Sequence, residues 1–301
     1  MTLKIGTRGS PLALAQAHMV AAALDGPSEI VVVVTTGDRV QDRPLAEIGG
    51  KALWTKELDA ALLDGRIDLA VHSMKDVETH LPGGIALAAM LPRADVRDRL
   101  IGAASLAGLP AGARLGTSSP RRAAQVRSIR PDIAIVPLRG NVATRLAKIA
   151  AGEADATLLA AAGLDRLGLD EGHAIPLETM LPAPAQGAVG VTCRAGDAAV
   201  LAALAAIDHA PTHAAVRLER AFLAALGADC HSSVAALAAD AGGDVRFRCE
   251  ILSPDGAERV TAERTFAAHD AAAGVAAIAA DLLARASPGL RALFAAPERA
   301  G

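Results

Sequence analysis

Hydrophobic and polar positions follow two alternating patterns through the first part of the chain. Residues 11–24 and 51–64 have a helical pattern, and the charged segment 92–99 is interpreted as a crossing between domains. Between and around these segments, four short apolar runs predict strands, at residues 3–8, 29–36, 67–74 and 85–91. This alternation predicts parallel sheets with helices on both faces and with ligands at the carboxyl ends of the strands.

The same alternation begins again after the crossing, and the two series open alike. Residues 5–16, "IGTRGSPLALAQ", and residues 115–125, "LGTSSPRRAAQ", both give a strand, Gly-Thr, Ser-Pro, a helix and Gln. We therefore expect Ser10 and Ser119 to be N-caps, each with a proline at the first helical position. The parallel favours two related α/β domains that face each other across a cleft. The second series predicts strands at 113–117, 133–139 and 156–163, and helices from Pro120 and Val142.

The last third of the chain has a different pattern. A return segment that contains proline and glycine, 181–194, ends in a predicted strand, and two helices follow at 197–207 and 212–226. Strands grouped together and followed by a helix predict a small α+β domain. Its elements are expected at 233–239, 244–252, 258–266 and 270–286.

Composition narrows the class of protein. The 301 residues are 52% hydrophobic and only 2% aromatic, with a net charge of -3, which argues against a general nucleic-acid binder. We find no uncharged apolar run of the roughly 18–20 residues that a membrane span needs, and we do not expect a signal peptide. The odd number of cysteines, without a CxxC spacing, favours a reducing compartment and argues against a zinc site. The cysteines are Cys193, Cys230 and Cys249.

Arginines recur where strands end and helices begin. Helix N-termini attract anions, and guanidinium groups bind carboxylates or phosphates in a bidentate manner. A single such arginine is usually solvated or paired with an aspartate, but several at comparable places predict a pocket for a small polyanion. The six arginines are Arg8, Arg121, Arg122, Arg139, Arg145 and Arg166.

Two further segments carry candidate chemistry. In "AVHSMKD", Lys75 and Asp76 follow an apolar strand; either could belong to an ordinary turn, but together they suit the stabilisation of a developing positive charge or a proton transfer. Whether His72 and Ser73 support them stays open. In "LGADCHSSV", Cys230 is either a small buried hydrophobe or an exposed thiol that serves as a nucleophile or covalent anchor.

A series of collinear segments resembles the porphobilinogen deaminase (hydroxymethylbilane synthase) family. The resemblance covers nearly the whole chain to about residue 225 and is looser beyond it. It implies a transferase that joins four porphobilinogen molecules head to tail, with release of ammonia, to give hydroxymethylbilane for haem and related pigments. The segments are "TRGSPLALAQ", "GGKALWTKELDAALLDGRIDLAVHSMKDV", "GTSSPRRAAQ", "LRGNVATRL", "AGLDRLGL" and "PAPAQGAVG".

The resemblance also implies a role for each candidate residue. Cys230 would hold a dipyrromethane cofactor through a thioether, with no metal, and Asp76 would be the catalytic carboxylate that stabilises the azafulvene cation left when ammonia departs. Cofactor contacts are implied for Lys75, Ser119, Arg121, Arg122, Arg139 and Arg145. Substrate contacts are implied for Arg8, Ser10, Arg166 and Gln186.

The implied fold is α/β, with two periplasmic-binding-protein-like α/β domains around a cleft and a small C-terminal α+β domain. Domain 1 would take residues 1–95 and 187–208, domain 2 residues 96–186, and domain 3 residues 209–301. We expect a cytoplasmic monomer that binds neither nucleic acid nor membrane. Two alternatives stay open: an anion-binding protein of the same architecture, and a family member that cannot hold the cofactor.

The chain departs from the family pattern at two places that bear on these roles. Asp229 precedes Cys230 where the family usually has glycine, which bears on the shape of the loop and on the attachment of the cofactor. Ala185 replaces the glycine that usually stands before Gln186.

Overall fold

The computed structural model describes residues 2–35 and 55–294, which form two compact units. Of the described residues, the first unit comprises 2–35, 55–94, 165–169 and 187–213. The second comprises 95–164, 170–186 and 214–294. The second unit contains two separate sheets, and the predicted division of the chain into three domains stays a prediction.

The helices and strands follow the predicted order closely. The elements up to residue 90 are β1 (Leu3–Thr7), α1 (Pro11–Ala23), β2 (Ser28–Val32), α2 (Lys56–Leu63), β3 (Leu69–Ser73) and β4 (Ile85–Met90). The next are β5 (Asp98–Ile101), β6 (Arg114–Gly116), α3 (Pro120–Ile129), β7 (Ala134–Val136), α4 (Val142–Ala150), β8 (Ala156–Ala160), α5 (Ala161–Arg166) and β9 (His173–Ala174). The last are β10 (Val189–Arg194), α6 (Ala198–Ala205), α7 (Ala210–Leu226), β11 (Val234–Asp240), β12 (Asp244–Leu252), β13 (Arg259–Ala267), α8 (Ala271–Arg285) and α9 (Pro288–Ala292).

The two five-stranded sheets have the same arrangement, as the repeated opening of the two series predicts. Their orders are β2-β1-β3-β10-β4 in the first unit and β7-β6-β8-β5-β9 in the second. In each sheet three neighbouring strands run parallel, and the fourth strand is antiparallel to both of its neighbours. The prediction of parallel sheets therefore holds for three neighbouring strands in each sheet and is wrong for the fourth, which runs against both of its neighbours.

Equivalent glycines make close contacts in the two halves. A Cβ atom on Gly6 would lie 2.2 Å from Cδ1 of Ile67, and one on Gly116 would lie 2.8 Å from Cβ of Leu138. Both glycines precede the strand-to-helix turn. In each half, glycine is therefore required in the Gly-Thr pair because a larger side chain would collide with its neighbour.

The segment predicted as a crossing, 92–99, is only partly one. Residues 98–101, "DRLI", form β5, which the sequence did not predict because charged residues occupy two of its four positions. Conversely, residues 161–163 were predicted as strand but begin α5. The start of the predicted helix at 51–64 and the last residue of the predicted strand 29–36 lie outside the described residues.

The third sheet, β11-β12-β13, is an antiparallel meander with α7 and α8 packed against it. Phe222 and Phe247 meet edge to face in this core, with ring centroids 5.5 Å apart, and mainly leucine, isoleucine, valine and alanine side chains form the rest of it. The predicted C-terminal α+β arrangement is confirmed.

Within the described residues, no single helix is long and apolar enough to cross a membrane, although α6 and α7 pass such a test together as a pair bent by 111°.

Candidate active site

In the first unit, four predicted site residues lie at one edge of the sheet. β1 and β3 are adjacent and parallel, with Ile5 opposite Leu69, so the residues that follow the two strands lie at the same edge. Asp76 and Lys75 are half-buried in the short 3-10 turn Met74–Asp76. The other two predicted residues at this edge are Arg8 and Ser10, both half-buried.

The end of β3 is fixed by hydrogen bonds on both of its sides. Ser73 Oγ donates to Gln16 Oε1 at 3.0 Å and accepts from Gln16 Nε2 at 2.8 Å, which ties the strand to α1. The buried His72 ring lies 2.9 Å from the Thr192 hydroxyl on β10. His72 and Ser73 therefore hold the strand that positions Lys75 and Asp76.

Arg166 is held beside the same turn. Its Nη2 donates to the carbonyl of Gly187 at 2.7 Å, and the carbonyl of the next residue, Ala188, accepts from the backbone N–H of Met74. Burial lowers the pKa of the Arg166 guanidinium, and its Nε has no hydrogen-bond partner among the described residues. Arg166 thus retains one buried donor that a substrate carboxylate could take.

The predicted N-caps are confirmed in both units. Ser10 Oγ accepts from the N–H of Ala13 at 3.3 Å, and Ser119 Oγ accepts from the N–H of Arg122 at 3.4 Å. Each serine is followed by proline at the first helical position. The hydroxyls are therefore already used in starting α1 and α3, next to the positive ends of the helix dipoles.

In the second unit, Arg121 and Arg122 are buried around one carboxylate. Asp98 Oδ2 accepts from Arg121 at 3.0 Å, and its Oδ1 accepts from Arg122 at 2.7 Å. Gln186 Nε2 also donates to Asp98 Oδ1, at 2.8 Å. The arginine side chains are only 4% and 6% exposed, and Asp98 only 2%, so the three charges are shielded from water. In the sequence, Asp98 has the appearance of an ordinary solvated aspartate within the charged segment 92–99.

Arg139 and Arg145 are more accessible than the Arg121–Arg122 pair. Arg139 is half-buried in the segment after β7. Arg145 lies on α4, whose N-cap Asn141 accepts from the N–H of Thr144 at 2.9 Å. Arg145 Nε donates to the carbonyl of Gly140 at 2.9 Å. Their guanidinium groups follow a strand end and a helix start, as the sequence predicts.

Ala185 has a backbone conformation that favours glycine. Its φ is 62°, and it is the one non-glycine residue with positive φ among the described residues. This position precedes the buried Gln186, and the Ala185 N–H donates to Glu219 Oε2 at 2.5 Å. The positive φ therefore favours glycine, the residue that the resemblance implies at this position.

Cys230 is exposed in a tight turn that its neighbours hold. Asp229 Oδ1 accepts from the N–H of His231 at 2.9 Å, and Ser232 Oγ accepts from the N–H of Asp229 at 3.1 Å. The aspartate thus orders the turn through its own carboxylate, where a glycine would rely on backbone freedom.

The other two cysteines are buried. Burial raises the pKa of the Cys193 thiol, and it raises that of Cys249 to about 12. Neither is suited to act as a thiolate near neutral pH. In the described part of the chain, no group of three or more histidine, cysteine, aspartate or glutamate side chains could hold a metal ion.

The comparisons with known proteins indicate the same family along almost the whole chain. A family model described as "Porphobilinogen deaminase, dipyromethane cofactor binding domain" matches residues 3–202, and one described as "Porphobilinogen deaminase, C-terminal domain" matches residues 213–284. A protein named porphobilinogen deaminase from Sphingopyxis alaskensis is 61% identical over 307 residues, covering 97% of this chain and 96% of that protein. One from Paracoccus denitrificans is 50% identical, covering 94% of each.

More distant similarities extend to a plant protein and to receptors. A chloroplastic porphobilinogen deaminase from Oryza sativa subsp. japonica is 49% identical, covering 87% of this chain and 77% of that protein. The unliganded, open L-cystine solute receptor of Neisseria gonorrhoeae matches in structure with a TM-score of 0.39 and 18% identity, over 68% of this chain and 85% of that chain. A TM-score at this level does not establish a common fold.

Proposed function

Because the chain belongs to the porphobilinogen deaminase family, we propose that it is a hydroxymethylbilane synthase, a transferase that condenses four porphobilinogen molecules head to tail and releases ammonia. The observation that carries the residue assignment is the grouping of Lys75 and Asp76 with Arg8 at the carboxyl edge of the first sheet. A carboxylate among cations suits a substrate that carries carboxylates and becomes cationic as it reacts.

Asp76 stabilises the positive charge that develops on the substrate. Loss of ammonia from the aminomethyl group leaves an azafulvene cation, and a half-buried carboxylate opposes that charge more strongly than bulk water would. Asp76 also accepts from the pyrrole N–H and so orients the ring. Lys75 and Arg8 bind the acetate and propionate groups, with the free Nε donor of Arg166.

The residues around Cys230 fit the covalent cofactor that the family carries. Of the three thiols, Cys230 is the exposed one, and the turn from Asp229 to Ser232 presents it. When bound, the dipyrromethane supplies the pyrrole carbon to which the first substrate is joined. Its carboxylates would be held by Lys75, Ser119, Arg121, Arg122, Arg139 and Arg145.

The buried arginine pair contributes mainly through its excess charge. Arg121 and Arg122 carry two positive charges and Asp98 one negative charge, so one positive charge remains in a region shielded from water. The Nε atoms of both arginines have no hydrogen-bond partner among the described residues. The excess charge and these two donors favour an anionic group near the start of α3.

We further propose that the chain acts as a monomer in the cytoplasm and binds neither nucleic acid nor membrane. A net charge of -3 and an aromatic content of 2% support the absence of a nucleic-acid partner. Size-exclusion chromatography with light scattering checks the monomer; a concentration-independent dimer mass would contradict it.

To test the function, the purified chain is incubated with porphobilinogen, and turnover is measured as the amount of ammonia released. We expect Asp76→Asn to lower kcat at least about a hundredfold while the covalent adduct remains, because the amide cannot oppose the developing cation. Asp64→Asn, an exposed aspartate that ends α2, is the control and should keep normal turnover. Substantial activity in Asp76→Asn would contradict the assigned role, and no turnover by the unmutated chain would contradict the function.

A further inference from the structure

Glu250 is a buried carboxylate that has no part in the proposed chemistry. It lies on β12 and is 0% exposed, and burying a carboxylate is costly unless it is paired and hydrogen-bonded. Its Oε2 accepts from Arg259 Nε at 2.7 Å, which provides one partner. Its Oε1 accepts from Nε2 of Gln125 on α3 at 2.5 Å. Glu250 is thus bonded to a helix outside its own sheet.

Gln125 carries the connection on to Arg121. Gln125 is buried, and its Oε1 accepts from Arg121 Nη1 at 2.9 Å. Gln125 Nε2 and Arg121 Nη1 both donate to the carbonyl of Leu181, each at 2.9 Å. A continuous hydrogen-bonded path therefore runs from Arg259, whose side chain is 30% exposed, through the buried Glu250 and Gln125 to the buried Arg121.

A second contact fixes the same sheet against α3. Arg127 Nη1 donates to the carbonyl of Pro254 at 2.8 Å, in the loop between β12 and β13. A Cβ atom on Gly256 in that loop would lie 2.6 Å from both the carbonyl oxygen of Ala124 and the N–H nitrogen of Ser128. All of these residues belong to the second unit, so the C-terminal sheet and α3 meet through close contacts at two places.

The sheet that holds Glu250 also fixes the start of the segment after Cys230. β11 pairs with β12 from Val234 onward, and Leu252 donates its N–H to the carbonyl of Ser233. The Glu250 contact therefore joins the element next to the exposed thiol to the helix that supplies the buried arginine pair.

We propose that Glu250 is a positioning residue for cofactor attachment, holding the Arg121 guanidinium through Gln125 in the orientation that receives a cofactor carboxylate. This inference rests on the proposed function. The positively charged members of the path and pair are Arg121, Arg122 and Arg259, and the negatively charged ones are Asp98 and Glu250. Replacing Glu250 with glutamine therefore raises the local charge and removes an acceptor at the same time.

The charge change separates positioning from simple electrostatics. If Glu250 acted only through its negative charge, Glu250→Gln would make the site more attractive to a polycarboxylate and attachment would be unchanged or faster. If it positions Arg121, the glutamine amide must face a donor on either Gln125 or Arg259, and attachment slows.

The experiment measures adduct formation on the full chain purified without cofactor. The chain is incubated with porphobilinogen at a temperature well below its melting point, and intact mass follows the gain of the adduct. We expect attachment to slow about tenfold in Glu250→Gln, since a hydrogen bond to a charged group is lost. Gln125→Met leaves the Glu250–Arg259 pair in place and should slow attachment similarly. The matched control is Glu263→Gln, an exposed carboxylate of β13 that pairs with Arg246.

A double variant that exchanges the two side chains of Gln125 and Glu250 provides the decisive test. In Gln125→Glu combined with Glu250→Gln, the new glutamate accepts from Arg121 and the new glutamine both donates to that glutamate and accepts from Arg259. The new glutamate oxygen also faces the Leu181 carbonyl to which Gln125 Nε2 donates, so we expect the double variant to attach clearly faster than Glu250→Gln but more slowly than the unmutated chain. A residue that only stabilises the fold would change the melting temperature without this pattern of slowing and rescue.

Two results would overturn the inference: attachment in Gln125→Met at the rate of Glu263→Gln, or a double variant no faster than Glu250→Gln. If Glu250→Gln does not fold, a double variant no faster than Gln125→Met overturns the inference instead. A failure of the proposed function itself gives a different result, because the unmutated chain would then acquire no adduct at all.

Discussion

Replacing Asp98 with asparagine is expected to destabilise the second unit strongly. The two carboxylate oxygens of Asp98 accept from Arg121 at 3.0 Å, from Arg122 at 2.7 Å and from Gln186 at 2.8 Å. An asparagine of the same shape has one oxygen and one NH2 group, so whichever way it turns an N–H faces another N–H. It also leaves two guanidinium groups without their shared negative charge.

The magnitude follows from the burial of all the partners. Asp98 is 2% exposed and the arginines 4% and 6%, so water cannot replace the lost carboxylate. Removing one member of a buried ion pair costs about 3–5 kcal/mol. For a chain of this length each kcal/mol lowers the melting temperature by about 2–4 °C, so we expect a fall of roughly 10 °C.

Thermal unfolding followed by circular dichroism at 222 nm measures this effect. Asp281→Asn is the matched control, because Asp281 forms a pair with Arg285 at 2.9 Å in which the side chains are 47% and 45% exposed. Exposed pairs contribute little, so we expect the control to shift the melting temperature by about 1 °C or less. An Asp98→Asn melting temperature within about 2 °C of the unmutated chain would refute the reasoning, since the buried arginines would then need no counter-charge.

Two further predictions concern stability. Burial raises the pKa of Asp59 to about 6, so its ionised form penalises the folded state increasingly between about pH 4 and pH 6 and fully above. The melting temperature of Asp59→Asn, relative to the unmutated chain, should therefore rise as the pH increases from 4 to 7, by the equivalent of about 2–3 kcal/mol. Gly256→Ala should lower the melting temperature by several degrees, because its φ is +73° and the added Cβ would meet the backbone of α3 at 2.6 Å.

Each of these two has an outcome that would contradict it. A pH-independent difference between Asp59→Asn and the unmutated chain would show that this carboxyl has an ordinary pKa. For the glycine, Gly242→Ala is the control, because its φ is +77° and no atom lies within 4 Å of the added Cβ. Equal losses in the two alanine variants would mean that the loop contact with α3 contributes nothing.

Local chemistry explains why some elements were predictable from sequence. α1 and α3 begin after Ser10 and Ser119, whose hydroxyls each accept from the N–H three residues later. Because this contact is local, a Ser-Pro pair in the sequence is enough to predict the start of each helix. β5 was missed because the Asp98 side chain is buried for a tertiary reason: its arginine partners lie 23 and 24 residues further along the chain. A charged residue whose partner is distant has the same appearance in sequence as a solvated one.

The residues of the candidate site also fall into two groups, those that the sequence could place and those that it could not. Lys75 and Asp76 could be placed together because a strand ends just before them, and Arg8 could be placed with them because parallel neighbouring strands end at one edge. Glu250 could not be found, since it follows β-type alternation on β12 and its partner Gln125 is 125 residues away. The exposure of Cys230 could not be decided either, because it depends on the turn that Asp229 orders.

The most direct test of the whole account is the intact mass of the purified chain after incubation with porphobilinogen. We predict an added mass of two linked pyrrole units on the unmutated chain and none on Cys230→Ala, with Cys249→Ala as the control that keeps the adduct. Cys230 is exposed and Cys249 is buried, so the two variants separate the accessible thiol from a shielded one. An unmodified mass for the unmutated chain, or an adduct that persists in Cys230→Ala, would contradict the account.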